Sequence, residues 1–401
     1  MEVIDFTPDL TADWSAFVGS HPLASYGHLA AQFALAAQTP GMRNVSLVVR
    51  DGSRICGVLP LFLTEHRALR RVPVRELVSA AFFPAGPLVS PKLQGKAEDR
   101  VVELLIGAAR ARALALRADR VVITHPNVVG GAPSIVRFGY SPLLHHGYKP
   151  RHGVGLLLDL TQPLEKLAAG RRSGCRQSVA KAQAAAEVSV MSDRSEWLAC
   201  HDLNVQTLGH LAYSEGQMAS IWDDFIAPGY ATAYAVRAGG TIAAVVVTIQ
   251  FNGSAYYWIG LNRRPAPVTG AGHLALWTAI LAAQERGVRH FELGSLDFEN
   301  PKNIGISQFK QSFGGAPYQI ISAQLEARPV RIAALALGEA LVAALRRPRQ
   351  PEKPAAASSE KPAAPAATKA SAPPPANDAS ARPSEGRPAK ARIAGEPAGV
   401  A

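Results

Sequence analysis

Three groups of residues in this 401-residue chain have types and spacing suited to chemistry. The first is Arg263-Arg264 followed by Gly270-Ala271-Gly272, just ahead of an Ala/Leu-rich stretch that begins near His273. Glycines at a helix start expose unpaired backbone N–H groups and the positive end of the helix dipole, which suits a pyrophosphate or another anion. The two arginines add charge at the same place, although a tight strand-to-helix turn would use the same glycines. The second group is Arg171, Arg172, Arg176 and Lys181. Their spacing places several cations on one helical face, either to grip phosphates or as a solvated basic face. The third group is acidic and phenolic. Glu292 alternates with Phe291 and Leu293 on a strand, Asp297 follows the end of that strand, and Tyr256-Tyr257 are neighbours on an aromatic strand. Successive strand residues point to opposite faces, so one tyrosine faces a cleft and the other the core. Asp297 stands where site residues of α/β proteins collect and where a helix cap would also stand.

The elements that must hold these residues come in two similar sets. Val49-Arg50-Asp51-Gly52-Ser53-Arg54-Ile55 and Val236-Arg237-Ala238-Gly239-Gly240-Thr241-Ile242 each read as a hairpin turn between two strands. Each is followed by a long Ala/Leu-rich helix, over residues 101–116 and 273–286, and then a short strand, 120–123 and 290–293. Hairpin, helix and strand in the same order twice argue for an internally duplicated α/β unit. Residues 153–160 read as a strand closing the first half. A helical, basic stretch over 164–186 opens the second.

Composition sets the outer limits. A net charge of +11 favours anionic partners: phosphorylated substrates, coenzyme A, RNA or an acidic membrane face. Cys56, Cys175 and Cys200 share no close spacing, so neither a zinc pattern nor a disulfide framework fits, and a reducing cytoplasm is the simplest setting. His201 and His210 have no third ligand beside them, so no metal is expected. No apolar run reaches the ~18 residues of a membrane span. The longest, 332–345, contains Glu339 and lies between Arg328, Arg331 and the Arg346-Arg347-Pro348-Arg349 cluster. Its apolar face and arginine ends suit either an acidic membrane surface or packing on the domain. From Pro351 the chain is rich in Pro and Ala with almost no large apolar residue, which predicts a disordered tail. Seven Lys/Arg against five Asp/Glu make a nucleic-acid role for the tail the weaker reading.

An aromatic strand, a glycine loop and a helix in this order resemble the coenzyme-binding segment of GNAT acyltransferases. Pro267 stands where that pattern usually has Gln or Arg, so the match to acetyl-CoA binding is incomplete. Phe291-Glu292-Leu293-Gly294, Asp297 and Ile306-Ser307-Gln308-Phe309-Lys310-Gln311-Ser312-Phe313-Gly314-Gly315 resemble the closing segment of FemAB-like proteins, and so does the helix from Leu274 to Ile280. The 171–182 stretch is similar to the family's basic helix, with Ala180 where a second basic residue is common. The resemblance rests on motifs in the second half and on architecture in the first.

It implies an α/β fold with mixed sheets: two tandem GNAT-like domains, a degenerate copy over 1–162 and a second over 163–327. A basic-flanked apolar helix (328–349) and a disordered Pro/Ala-rich tail (350–401) follow. It implies an N-acyltransferase moving an acyl group from an acyl-CoA-type donor to an amine of a cell-envelope or polysaccharide precursor. In that role Lys310 would place an ammonium by the carbonyl oxygen, Asp297 would take the amine proton or orient the acceptor, Glu292 would be a further catalytic residue presented to the cleft, and Tyr257 would protonate the leaving group. Arg263, Arg264, Gly270 and Gly272 would hold the donor, and Arg171, Arg172, Arg176 and Lys181 the phosphates of donor or acceptor. The alternatives are a tRNA-dependent aminoacyltransferase of the peptidoglycan-bridge type and a non-catalytic anion- or membrane-binding module. The expected setting is the cytoplasm, with peripheral contact at the inner face of the membrane.

Overall fold

The long apolar run Ala243–Ile249 has no polar alternation, so it must be covered on both sides, and it is: all seven residues are buried. They lie in the Thr241–Phe251 strand, near the middle of a seven-stranded sheet. The strand order across that sheet is Glu187–Val190, Ala231–Ala238, Thr241–Phe251, Ser254–Asn262, His290–Leu296, Val154–Asp159 and Ala316–Gln319. Its neighbours pair antiparallel except Ser254–Asn262 with His290–Leu296, which are parallel and joined by the Ala271–Glu285 helix. Ala, Leu and Ile dominate that helix and favour it intrinsically. It packs with Leu156, Leu158, Phe291 and Leu293 on one face of the sheet. On the other face Trp197, Met218, Trp222 and Phe225 pack together with Tyr26 and Phe83 from the first half.

The structure, a computed structural model, describes residues 1–69, 72–130, 132–133 and 142–346. Residues 347–349 and the tail expected from 350 lie outside the described residues. Met1–Arg346 forms one unit. Within it the first half repeats the second in outline: Val72–Val78 and Arg120–Thr124 are parallel and joined by the Lys96–Ala115 helix. The fold is thus α/β with mixed sheets, duplicated. The stretch 164–186 is two helices, Leu164–Ala169 and Ser173–Gln183.

One expectation is corrected. The strand Val154–Asp159, read as closing the first half, lies in the second half's sheet between His290–Leu296 and Ala316–Gln319. In return Ser322–Glu326 crosses into the first half's six-stranded sheet, between Lys149–Arg151 and Arg120–Thr124. The halves exchange one strand each. Strand partnership is a tertiary property, and an apolar run such as Leu156-Leu157-Leu158 suits either sheet.

The last described helix, Pro329–Arg346, is pinned at its start. The buried Asp119 carboxylate accepts from the Arg75 backbone N–H (3.1 Å) and pairs with Arg331 (2.8 Å) and Arg328 (3.6 Å). Ile332 is the buried residue beside this anchor. Among the described residues no helix is long and apolar enough to cross a membrane. Replacing Asp119 by Ala strands a backbone donor and two cations, so unfolding stability should fall by about 2–3 kcal/mol. Urea denaturation followed by fluorescence checks this.

Candidate active site

The parallel pair that crosses the second sheet is short. Ser254-Ala255-Tyr256 faces His290-Phe291-Glu292, and beyond those residues the strands no longer pair with each other. Each then follows its outer neighbour, and each carries a register shift at the point of divergence. Val247 and Thr248 face Ile259 and Tyr257, leaving Trp258 as the extra residue, and Leu156 and Leu157 face Gly294 and Glu292, leaving Leu293. Bulges re-aim side chains and release backbone groups from the ladder, and they concentrate near active sites. The result is a wedge-shaped notch in the sheet, opening next to Tyr256 and Glu292.

Glu292 is fully buried. Its carboxylate accepts hydrogen bonds from the Tyr26 hydroxyl, from Asn127 Nδ2 (2.6 Å) and from the Tyr318 hydroxyl (3.2 Å). Burial pushes its pKa up to about 7, against the opposing pull of these three donors. Tyr26 and Asn127 come from the first half, and Tyr318 from the strand beside Val154–Asp159. Tyr318 is half-buried, whereas Tyr26 and Asn127 are buried. Tyr256 lies beside Glu292 in register, its ring 5.5 Å from that of Tyr26. Its hydroxyl pKa is raised, by burial first and by the Glu292 charge second.

Lys310 reaches the same notch from the Pro301–Gln311 helix. Its ammonium donates to the Ser295 carbonyl (2.8 Å), and burial lowers its pKa to about 8. Phe309 and Phe313 on either side pack on His273, at 4.7 and 5.7 Å between ring centroids, and so clamp this helix to the start of the Ala271–Glu285 helix. Gly294 makes the approach possible. Its φ is +79°, and a Cβ there would lie 2.9 Å from the Tyr256 hydroxyl and 3.3 Å from Lys310 Nζ.

The other residues singled out in the sequence fall as follows. The Asp297 carboxylate accepts from the Glu299 and Asn300 backbone N–H groups (3.0 and 3.1 Å) and from Asn303 Nδ2 (2.7 Å). These bonds hold it below the usual carboxylate range, and they tie down the loop that leads into the Lys310 helix. Tyr257 points away from Glu292, into the cluster containing Phe309, at 6.2 Å between rings. Gly270 has φ +88°, and a Cβ there would lie 2.2 Å from the Ser178 carbonyl oxygen, so packing alone demands glycine. Gly272 sits in the first turn of the helix that follows, whose start carries no side-chain cap. Arg263 Nε donates to the Ile242 carbonyl (2.7 Å), and Arg264 is exposed. The Gly270–Ser178 contact brings the Ser173–Gln183 helix against the glycine loop, with Arg172, Arg176 and Lys181 exposed nearby in sequence. Arg171 instead stacks on Trp277, its guanidinium carbon 3.7 Å from the ring centroid. The structure therefore brings Glu292, Tyr256 and Lys310 together around Gly294, with Asp297 as a support and Tyr257 on the opposite face. Tyr26 and Tyr318 escaped the sequence reading because nothing local marks them. Among the described residues no group of three or more His, Cys, Asp or Glu could hold a metal ion.

Residues 169–311 match the acetyltransferase (GNAT) domain family. No curated protein matches the chain. Among solved structures, FemX superposes with a TM-score of 0.62 at 15% identity, covering 84% of this chain and 100% of FemX. The C-terminal domain of a protein described as a lysylphosphatidylglycerol synthetase from Agrobacterium fabrum gives 0.51 at 16%, covering 83% and 96%. L-PGS from Bacillus licheniformis gives 0.51 at 10%, covering 84% and 97%. The notch between diverging parallel strands lies inside the segment that matches the acetyltransferase (GNAT) domain family, and the described fold as a whole is similar to that of FemX.

Proposed function

We propose that the protein transfers an acyl group from an acyl-CoA-type thioester to an amine of a cell-envelope or polysaccharide precursor. The observation that carries this reading is the buried Glu292 carboxylate at the apex of the notch, with the half-buried Tyr318 bonded to it and Lys310 near Gly294. The amine nitrogen bonds to the acyl carbon as the carbon–sulfur bond breaks. Tyr318 passes its hydroxyl proton to Glu292 as it takes one from the amine, so the proton ends on the carboxylate. The Lys310 ammonium stabilises the charge that develops on the carbonyl oxygen. In this reading Tyr256, which lies beside Glu292, protonates the departing sulfur. The uncapped amides at the start of the Ala271–Glu285 helix suit the phosphates of such a donor.

The reaction needs Glu292 ionised and Lys310 protonated. Because burial raises the first pKa to about 7 and lowers the second to about 8, kcat/KM should rise through pH 7 and fall above pH 8. Glu292→Gln should reduce kcat by roughly 10²–10⁴-fold and erase the acid limb. Lys310→Met should cost about 10²–10³-fold and erase the alkaline limb. A pH profile indifferent to both substitutions defeats the assignment. Gly294→Ala should leave the fold intact but push Tyr256 and Lys310 apart, lowering kcat at least about tenfold in the same assay. Mass spectrometry of the purified protein tests the donor: acyl-CoA species support this reading, and tRNA without them reverses it in favour of an aminoacyl donor.

A peripheral membrane contact belongs to the same proposal. Val330, Leu337 and Leu341 on the Pro329–Arg346 helix are exposed apolar side chains next to arginine-rich ends. Flotation with phosphatidylglycerol vesicles should recover the protein, and Leu337→Glu with Leu341→Glu should abolish recovery.

A further inference from the structure

The three donors divide the Glu292 carboxylate unevenly. Oε1 accepts from the Tyr26 hydroxyl, and Oε2 accepts from Asn127 Nδ2 (2.6 Å) and from the Tyr318 hydroxyl (3.2 Å). Tyr318 is half-buried and belongs to the second half's sheet. Tyr26 and Asn127 are buried and come from two segments of the first half that are far apart in sequence.

Both segments hold their donors still. Tyr26 opens the short helical turn Tyr26–His28. Within it His28 Nδ1 accepts from the Ser25 backbone N–H (3.1 Å), the His28 carbonyl accepts from Trp14 Nε1 (2.7 Å), and the Gly27 carbonyl accepts from Gln32 Nε2. Gly27 packs so tightly that a Cβ there would lie 2.0 Å from the Pro84 carbonyl oxygen. Just ahead of the turn, the Pro22 and Ala24 carbonyls accept from Asn252 Nδ2 of the second half (2.7 and 3.0 Å). On the other segment, the His125 backbone N–H donates to the Ile321 carbonyl (2.8 Å), two residues before Asn127.

The Asn127 amide is informative by its other atom. Nδ2 serves Glu292, while Oδ1 is buried with no hydrogen-bond partner among the described residues. Burying an unpaired acceptor costs stability, so the carboxylate accounts for this side chain better than the packing around it does. Tyr256 also borders the carboxylate, and Lys310 lies beyond it over Gly294. His290, on the Glu292 strand, faces Asp159 in the pairing. Burial lowers the pKa of His28 and of His125, on the donor-bearing segments, to about 4, so both stay neutral where Glu292 titrates.

From two buried, firmly mounted donors and one half-buried one, we infer that Tyr26 and Asn127 are positioning residues. They fix the carboxylate in one orientation, favour its ionised form, and leave Tyr318 as the donor through which its proton comes and goes. Through them the first half sets the charge state of a group on the second. The proton traffic rests on the acyl-transfer reading; the clamp on the carboxylate does not.

The test follows the Glu292 carboxyl carbon by NMR in the full chain, labelled with carbon-13 at glutamate Cδ, its signal identified by its loss in Glu292→Gln. Tyr26→Phe and Asn127→Leu each delete one donor and keep the bulk, so each should raise the titration midpoint by about one pH unit or more. In acyl transfer the acid limb of kcat/KM should move up by the same interval with the amine KM unchanged. Tyr318→Phe should instead lower kcat by roughly 10²-fold at every pH. Circular dichroism identifies the variants that keep the fold, and either one decides should the other fold poorly. A midpoint that stays in place or falls in a folded variant overturns the clamp. A raised midpoint in a protein that transfers no acyl group from any thioester keeps the clamp and defeats the transfer reading. Transfer that is lost in Glu292→Gln, with midpoints unmoved by Tyr26→Phe and Asn127→Leu, does the reverse.

Discussion

Everything at the notch depends on keeping one carboxylate out of water. An ionised group in an apolar interior is tolerated only when donors surround it, and Glu292 draws its three from separate places in the chain: Tyr26, Asn127 and Tyr318. Two of them belong to the first half, so that half is part of the site's electrostatics. The aromatic layer of Tyr26, Phe83, Tyr256 and Trp258 keeps this region dry, with neighbouring rings 4.8 to 5.9 Å apart. Dryness brings the Glu292 and Lys310 pKa values toward each other, a buried acid made weaker and a buried ammonium made more acidic. Burial thus tunes the two groups in opposite directions, both toward neutrality.

The string Phe309 to Gly315 acts through packing as much as through its lysine. Phe309 and Phe313 grip His273, and the Asp297 bonds to Glu299, Asn300 and Asn303 fix the loop ahead of the same helix. Lys310 is therefore held from both ends of its helix. The Asp297 carboxylate thereby ties down the loop that leads to that lysine.

The fold class and the duplication were legible because hairpins, Ala/Leu-rich helices and apolar strands leave local patterns in a sequence. Glu292 and Lys310 stood out for a similar reason, since they lie in two short strings, 291–294 and 306–315, with local patterns of their own. The choice between Tyr256 and Tyr257 was not legible: alternation shows that they face opposite ways but not which way the site lies. Tyr26 and Tyr318 have no local signature, and their role comes from a contact 266 residues apart in one case and 26 in the other. The glycines at 270 and 272 were read as an anion cradle, yet Gly270 has a sufficient reason in its contact with the Ser178 carbonyl. The strand exchange was invisible for the reason already given, that an apolar strand does not record its partner.

That exchange also dictates an order of assembly. The six-stranded sheet of the first half lacks an interior strand until Ser322–Glu326 has been made, so Arg120–Thr124 and Lys149–Arg151 must wait with open edges while the second half is synthesised. Unpaired edges are where chains stick to one another. The first half is thus the last to finish, and its completion certifies that the second half, with its notch and its Glu292, is already present in the same molecule.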